Sequence, residues 1–380
     1  MPSPLSLFRD LKTNTVTKPQ VLPPSLSLPL LSVSHHLGIP PVATYAGVNL
    51  WNFRTTNPAL DFTDLDALHS LHTFTGTEDE SWFYVVSVAM EAQGASIIPT
   101  MLSALNAIQH RDYATITSAL ADLTSCIESL GRLLERMHER CTPAVFYHRI
   151  RPFLAGSKNM AAAGLPNGVF YDEGTEGKVK GEWRQLRGGS NGQSSLIQFL
   201  DLVLGVEHTA RGNSQPEGTH TNSKAIKQGV CGGEGSVSFH EEVRDYMPAP
   251  HRRFLKHVAE AYPGGMRKGV AELLTVRQEG EELRAEQAGL QEAFQTATKA
   301  LAEFRNQHLQ IVARYIIIPS RQANLTQGVV NLATASSRAK GLTTSGGETE
   351  LTGTGGTALL PFLKQSRDET FQAGEMECRG

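Results

Sequence analysis

A mainly α fold is what the sequence predicts, as one large all-helical domain behind a reduced small N-terminal domain. Three observations carry that reading. Leu120, Leu123, Ile127, Leu130, Leu133 and Met137 recur at steps of three and four, which places them on one face of a long amphipathic helix. Leu283, Leu290, Phe294, Ala297, Leu301, Phe304, His308, Ile311, Val312 and Tyr315 repeat that rhythm, so His308 belongs to a buried stripe. Strand signals shrink to short pieces such as NGVFY around Val169.

In chain order, residues 14–41 are rich in Pro, Ser and Thr and contain PPSLSLPLLSVS, a composition that predicts extended or loosely ordered chain. Residues 1–75 as a whole make the reduced, partly disordered N-terminal domain, and residues 76–380 make the helical one. WFYVVSVAMEAQGASII, Trp82 to Ile98, is apolar on nearly all sides and predicts a helix in the middle of the fold, with Ser87 its small polar group deep in the run. Two Gly-rich polar stretches interrupt the helical pattern: 211–238 reads as a loop insertion, and 336–357, ending in GTGGT, as a mobile loop.

Composition narrows the function classes. With 40% hydrophobic and 19% charged residues over 380 positions, the chain can bury a substantial core. Its 35 Lys+Arg against 38 Asp+Glu leave a formal charge of −3, too little to favour nucleic acid or an anionic membrane. Contiguous apolar runs such as YIIIP fall well short of the roughly 20 residues of a membrane span, and the N-terminus lacks a secretory signal pattern. Cys126, Cys141, Cys231 and Cys378 are widely separated and form no CxxC, which argues against disulfides or a zinc site and for a reducing, cytoplasmic setting.

Read alone, His308 in FRNQHLQIVARYIIIP is either a core histidine bonded to a carboxylate or carbonyl, or an axial metal ligand. One imidazole cannot close a zinc site, but it suffices for haem, where the porphyrin supplies four equatorial nitrogens. The other histidines, His35, His36, His69, His72, His208, His220 and His251 among them, stand in polar or loop contexts that predict solvated surface. GGSNGQSS, Gly188 to Ser195, predicts a glycine turn feeding an apolar helix, where backbone could approach a ligand; it is no Walker motif, since no Lys-Ser/Thr comes after it. FYHRIRPFL, Phe146 to Leu154, reads as a solvated helix face with a buried aromatic side, or as Arg151 set as a carboxylate fork. HRR at His251 to Arg253 reads as a charged helix start after MPAP.

TYAGVNLWNFR, WFYVVSVAMEA, RIRPFLAG, GGSNGQSSLIQFLDLVLG, YMPAPHRRFL, HLQIVARYIIIP and GTGGTALLPFLK occur in one order, and together they resemble the indoleamine 2,3-dioxygenase family from about Pro40 to about Lys364. The resemblance implies a haem enzyme that opens the pyrrole ring of L-tryptophan with O₂ to give N-formyl-L-kynurenine, a step of tryptophan catabolism that can lead to NAD. It places the proximal ligand of a ferrous haem b on His308, with Arg305, Asp201 and Ser190 about the cofactor. It gives catalytic roles to Ser87, Arg151 and Phe146: Arg151 pairs with the substrate carboxylate, Phe146 packs over the indole, and Ser87 helps near oxygen without being indispensable. Tyr45 and Phe83 line the pocket, Ser190 and Asn191 form the loop beside haem and substrate, and Thr354 belongs to the loop that closes over the substrate ammonium. The partners implied are tryptophan and O₂, with an external reductant to keep the haem ferrous; no nucleic acid, membrane or second subunit is implied.

Departures are local. Val48 stands where relatives often carry cysteine, and Ala155 where they carry serine, which adjusts pocket shape and polarity. Only about 44 residues precede TYA, shorter than the family's small domain. Two other readings stay open: a haem protein that binds O₂ without turnover, and an inactive scaffold.

Overall fold

The computed structural model describes residues 20–161, 164–174, 180–209, 238–275, 281–321, 353–354 and 359–375. The stretch 211–238, but for Ser238, and the loop 336–357, but for Gly353 and Thr354, lie outside these residues.

The elements run β1 (Val21–Leu22), α1 (Pro24–Leu37), β2 (Phe53–Thr55), β3 (Leu68–Ser70), α2 (Glu78–Ala95), α3 (Ile97–His110), α4 (Tyr113–Glu135), β4 (Val169–Asp172) and β5 (Gly181–Arg184). They continue with α5 (Ser195–Leu204), α6 (Phe239–Arg244), α7 (Ala249–Ala261), α8 (Gly265–Thr275), α9 (Glu281–Val312) and α10 (Leu359–Gly374). The mainly α expectation holds. Among the described residues the few strands make two small sheets: β1 pairs parallel with β4 and β4 antiparallel with β5, while β2 and β3 pair antiparallel with Phe53 opposite Ser70. NGVFY does supply β4.

Each long helix starts where local chemistry allows. Thr77 caps α2 by accepting from the Glu80 N–H, and Glu78, Asp79 and Glu80 put negative charge on its first turn, opposite the helix dipole. Asp112 does the same for α4 through Thr115, and the Ser238 and Glu241 pair closes a capping box on α6. The predicted stripe on α4 is buried at Leu120, Leu123, Ile127 and Leu130, and it lies along the stripe on α9, where Leu290, Phe294, Ala297 and Leu301 are fully buried. At Gly131 the Gln307 amide lies against the α4 backbone, where a Cβ would make it shift. The core runs from these two helices through α2 and α3 to α5 and α8.

Two expectations are corrected. Within 14–41, residues 24–37 form a helix rather than extended chain. Pro24 sits at the first helical position, where a missing N–H costs nothing, and Gly38, at φ +63°, ends the helix in the left-handed region. The Pro- and Ser-rich composition misled because Ser27 and Ser34 face inward while Leu26, Leu28, Leu30 and Val33 face outward. Second, reading only contiguous apolar runs overlooked that Glu78–His110 is long and apolar enough, by length and composition, to cross a membrane. It is two helices that meet at Ser96, and Trp82, Tyr84, Val85, Val88, Ala89, Ile97, Met101 and Leu105 are buried in the core.

Candidate functional site

Between α2, α5, α9 and α10 lies a cavity lined mainly by apolar side chains. Tyr45, Phe83, Ser87, Phe146, Arg151, Ser190, Asn191, Arg305, His308 and Thr354 all stand on its wall. Of the residues singled out from sequence, Asp201 alone lies behind that wall, paired with Arg305.

Three π turns frame the cavity: Ala46–Leu50, Phe146–Ile150 and Ala313–Ile317. Such single turns often mark functional sites, and here the reason is geometric. The Arg151 N–H bonds the Phe146 carbonyl, an i→i+5 link that stacks residue 151 over residue 146. In an α-helix two residues five apart point about 140° away from each other. The π turn therefore lets Phe146 and Arg151 face one space, and both are buried, the arginine completely. FYHRIRPFL is thus no simple solvated face: Phe146, Tyr147, Ile150 and Arg151 all point inward.

The Arg151 guanidinium lies 5.7 Å from the Tyr147 ring centroid. Burial lowers its pKa to about 10, so it remains a cation at neutral pH. Around it the wall is aromatic. Phe83 meets Phe146 edge to face at 4.9 Å, and Phe146 meets Tyr315 likewise at 5.7 Å.

GGSNGQSS folds against this wall. A Cβ on Gly188 would overlap the Leu154 carbonyl, so glycine there brings the loop onto the chain just past Arg151. The Gln193 side chain accepts from the Tyr45 N–H at 2.8 Å and donates to the Gly188 carbonyl at 2.9 Å, and Ser194 caps α5. Thr354 donates its hydroxyl to the Gly189 carbonyl at 2.8 Å, so GTGGT meets GGSNGQSS at the cavity.

Sequence reasoning missed Glu91, which is set into the same wall. Tyr45 Oη donates to its Oε1 at 3.1 Å and Ser194 Oγ to the same oxygen at 2.6 Å. Burial raises its pKa in spite of these bonds, and burial beside Glu91 raises that of Tyr45. Glu91 is one helical turn beyond Ser87 on α2, the sole signal that could have found it.

On the opposite wall His308 makes no hydrogen bond among the described residues. Burial first, then the Arg305 charge, lower its pKa to about 4, so it presents a neutral imidazole with a free lone pair to the cavity. That donor, on a mainly apolar cavity, fits a haem, which brings its other ligands with it. Behind it Arg305 donates both Nη2 bonds to Asp201, at 2.6 and 2.8 Å, and reaches the Ser366 carbonyl at 2.8 Å and the Thr370 hydroxyl. The pair ties α9 to α5 and α10. Burial would raise the Asp201 carboxyl, but Arg305 and His208 outweigh it and hold it well below the usual range.

His208 is a correction. Expected on the solvated surface, its side chain is 8% exposed, with Nε2 3.1 Å from Asp201 and Nδ1 2.7 Å from Glu369. The two carboxylates draw it inward and raise its pKa against the cost of burial. His251, also expected at the surface, bonds Ser195 Oγ at 2.7 Å at the start of α7, where the charged helix start was foreseen. His220 lies outside the described residues.

The family model for indoleamine 2,3-dioxygenase matches residues 11–373. An indoleamine 2,3-dioxygenase of Saccharomyces cerevisiae is 38% identical over 371 residues, 95% of this chain and 74% of the yeast protein. Indoleamine 2,3-dioxygenase nanC of Aspergillus nanangensis is 36% identical, over 93% of this chain and 74% of its own. A 6-hydroxytryptophan 2,3-dioxygenase of Fusarium equiseti is 35% identical, over 93% and 75%.

Proposed function

Since the chain belongs to the indoleamine 2,3-dioxygenase family, we propose that it converts L-tryptophan and O₂ to N-formyl-L-kynurenine, with His308 the protein ligand of a ferrous haem b. The family is haem-dependent, and its members are dioxygenases, oxidoreductases acting on tryptophan with O₂. The observation that carries the finer reading is the pairing, across one cavity, of a neutral unbonded imidazole with a fully buried guanidinium.

When bound, haem supplies an iron that activates O₂ for addition across the indole C2–C3 bond, and turnover consumes no net electrons. The side chains do the rest. Arg151 binds the substrate carboxylate and so fixes which edge of the indole faces His308. Phe146 and Phe83 pack on the ring and exclude water. Tyr45 and Ser87 line the deep end, and Ser190 and Asn191 flank substrate and cofactor. Thr354, on the Gly189 carbonyl, closes the site over the ammonium. Arg305, held by Asp201, keeps positive charge beside His308, which favours the neutral imidazole that iron requires. The name of the Fusarium relative makes ring-hydroxylated tryptophan the competing substrate to assay.

We place the protein in tryptophan catabolism, with its product open to NAD biosynthesis, as a cytoplasmic monomer served by an external reductant. The two described cysteines, free and buried, support a reducing compartment. Reconstituted with haem, the chain is expected to show a Soret band that shifts on adding tryptophan, and to form a product absorbing as N-formylkynurenine under reducing conditions. A Soret band without product would make it an O₂-binding haem protein, and no Soret band would make it a scaffold.

A further inference from the structure

Beside the haem cavity, and separate from His308, the geometry points to a second metal site: Asp201, His208 and His240 as ligands of a divalent ion of the zinc class. One ligand atom from each of the three lies within 4.8 Å of the others. His208 Nε2 is 3.1 Å from Asp201 Oδ2, and two ligand atoms bonded to one tetrahedral zinc at 2.0–2.1 Å stand about 3.3 Å apart. An ion there takes the place of the His208 proton, so Asp201 needs no lone pair beyond those now facing His208 and Arg305.

Glu369 supplies what metal-bound histidines ordinarily have behind them. It accepts from His208 Nδ1 at 2.7 Å, which fixes the ring and aims Nε2 at Asp201. The third ligand is ready. His240 makes no side-chain hydrogen bond among the described residues, and its ring meets other rings there: it stacks on His208 with centroids 3.8 Å apart, tilts against Phe362 at 5.2 Å and meets Phe239 edge to face at 6.1 Å. A turn of that ring out of the stack brings a nitrogen to the ion, and no hydrogen bond among the described residues opposes it.

A second cavity opens onto all three side chains and offers the fourth position to water. Arg244 on that cavity and Arg305 on Asp201 are cations, but Asp201, Glu207, Glu241 and Glu369 outnumber them, so the surroundings favour a positive ion. Two imidazoles and one carboxylate suit zinc, cobalt or nickel rather than calcium or magnesium. His240 and Arg305 also stand on the haem cavity, which puts the ion next to the cofactor.

The experiment is calorimetric titration of zinc chloride into the haem-loaded chain at pH 8, beside His240→Ala and Glu369→Gln. One equivalent in the wild type, lost in His240→Ala while the Soret band persists, is the result expected. Glu369→Gln should weaken the same site by about ten- to a hundredfold. The inference is overturned by a wild type that takes up no zinc, or by equal uptake in His240→Ala. Unchanged affinity in Glu369→Gln would overturn the part given to Glu369.

Discussion

The two walls of the cavity bear comparison. On the side of α2 and the Phe146–Ile150 turn the surface is aromatic and aliphatic, with the hydroxyls of Tyr45 and Ser87 and the Arg151 cation near the Tyr147 ring. On the side of α9, Arg305, Asp201, His208 and Glu369 bond one another in a chain that leads back from His308. One wall turns its charge toward the cavity, and the other spends its charges on joining three helices. A charge meant for a ligand must be buried but accessible, whereas a charge meant to hold an element must be matched within the protein.

The contrast can be broken at several points, the largest effect first. His308→Ala should lose haem altogether, seen as a missing Soret band with helical circular dichroism intact; a retained band would remove His308 from the iron. Asp201→Ala leaves Arg305 buried and unmatched, which should destabilise the fold by about 3–5 kcal/mol in a denaturant titration. Arg151→Ala should keep haem and fold but lower kcat/KM for tryptophan by at least thirtyfold, the equivalent of about 2–5 kcal/mol, and far less for tryptamine, which has no carboxylate. If both substrates suffer equally, the fork is misassigned.

Acid should act on the charged side. His308 and His240 have pKa values lowered to about 4 and about 3, burial being the first cause for each. The unfolded chain therefore takes up protons that the folded chain refuses as pH falls from about 6.5 towards 4, and the haem-free protein should lose on the order of 2 kcal/mol per ring. His208 runs the other way: its pKa is raised, so its contribution is complete below about pH 6.5 and fades as pH climbs through its folded value. Melting temperatures between pH 7 and 4.5 check the acid limb, which His240→Leu should flatten. The smallest effect is Ser87→Ala, expected to lower kcat by less than tenfold, about 1.4 kcal/mol.

How much of this was legible in the sequence differs by wall. The stripes on α4 and α9 were, because packing against a core imposes a period that one strand of text preserves. So were the cavity residues that sit in quotable blocks, Arg151 and His308 above all. His208 was not, since it stands past the end of α5 in a polar run and its partner Glu369 is 161 residues away. Glu91 was hidden differently, as one carboxylate at the polar end of an apolar helix, with no pattern to say that two hydroxyls from other segments converge on it. Helix α1 failed because its serines, not its leucines, face the protein.

The three π turns bear on the gene as well as the fold. Each holds one residue more than an α-helix needs, which makes it the place where a single codon can be lost without breaking a helix. Loss of one between Phe146 and Ile150 would restore ordinary winding and leave Arg151 four positions beyond Phe146, about 40° around the helix and still on one face. The pair would survive such a loss, so the extra residue of the turn is where this chain can shorten by one position and still face both side chains to the cavity.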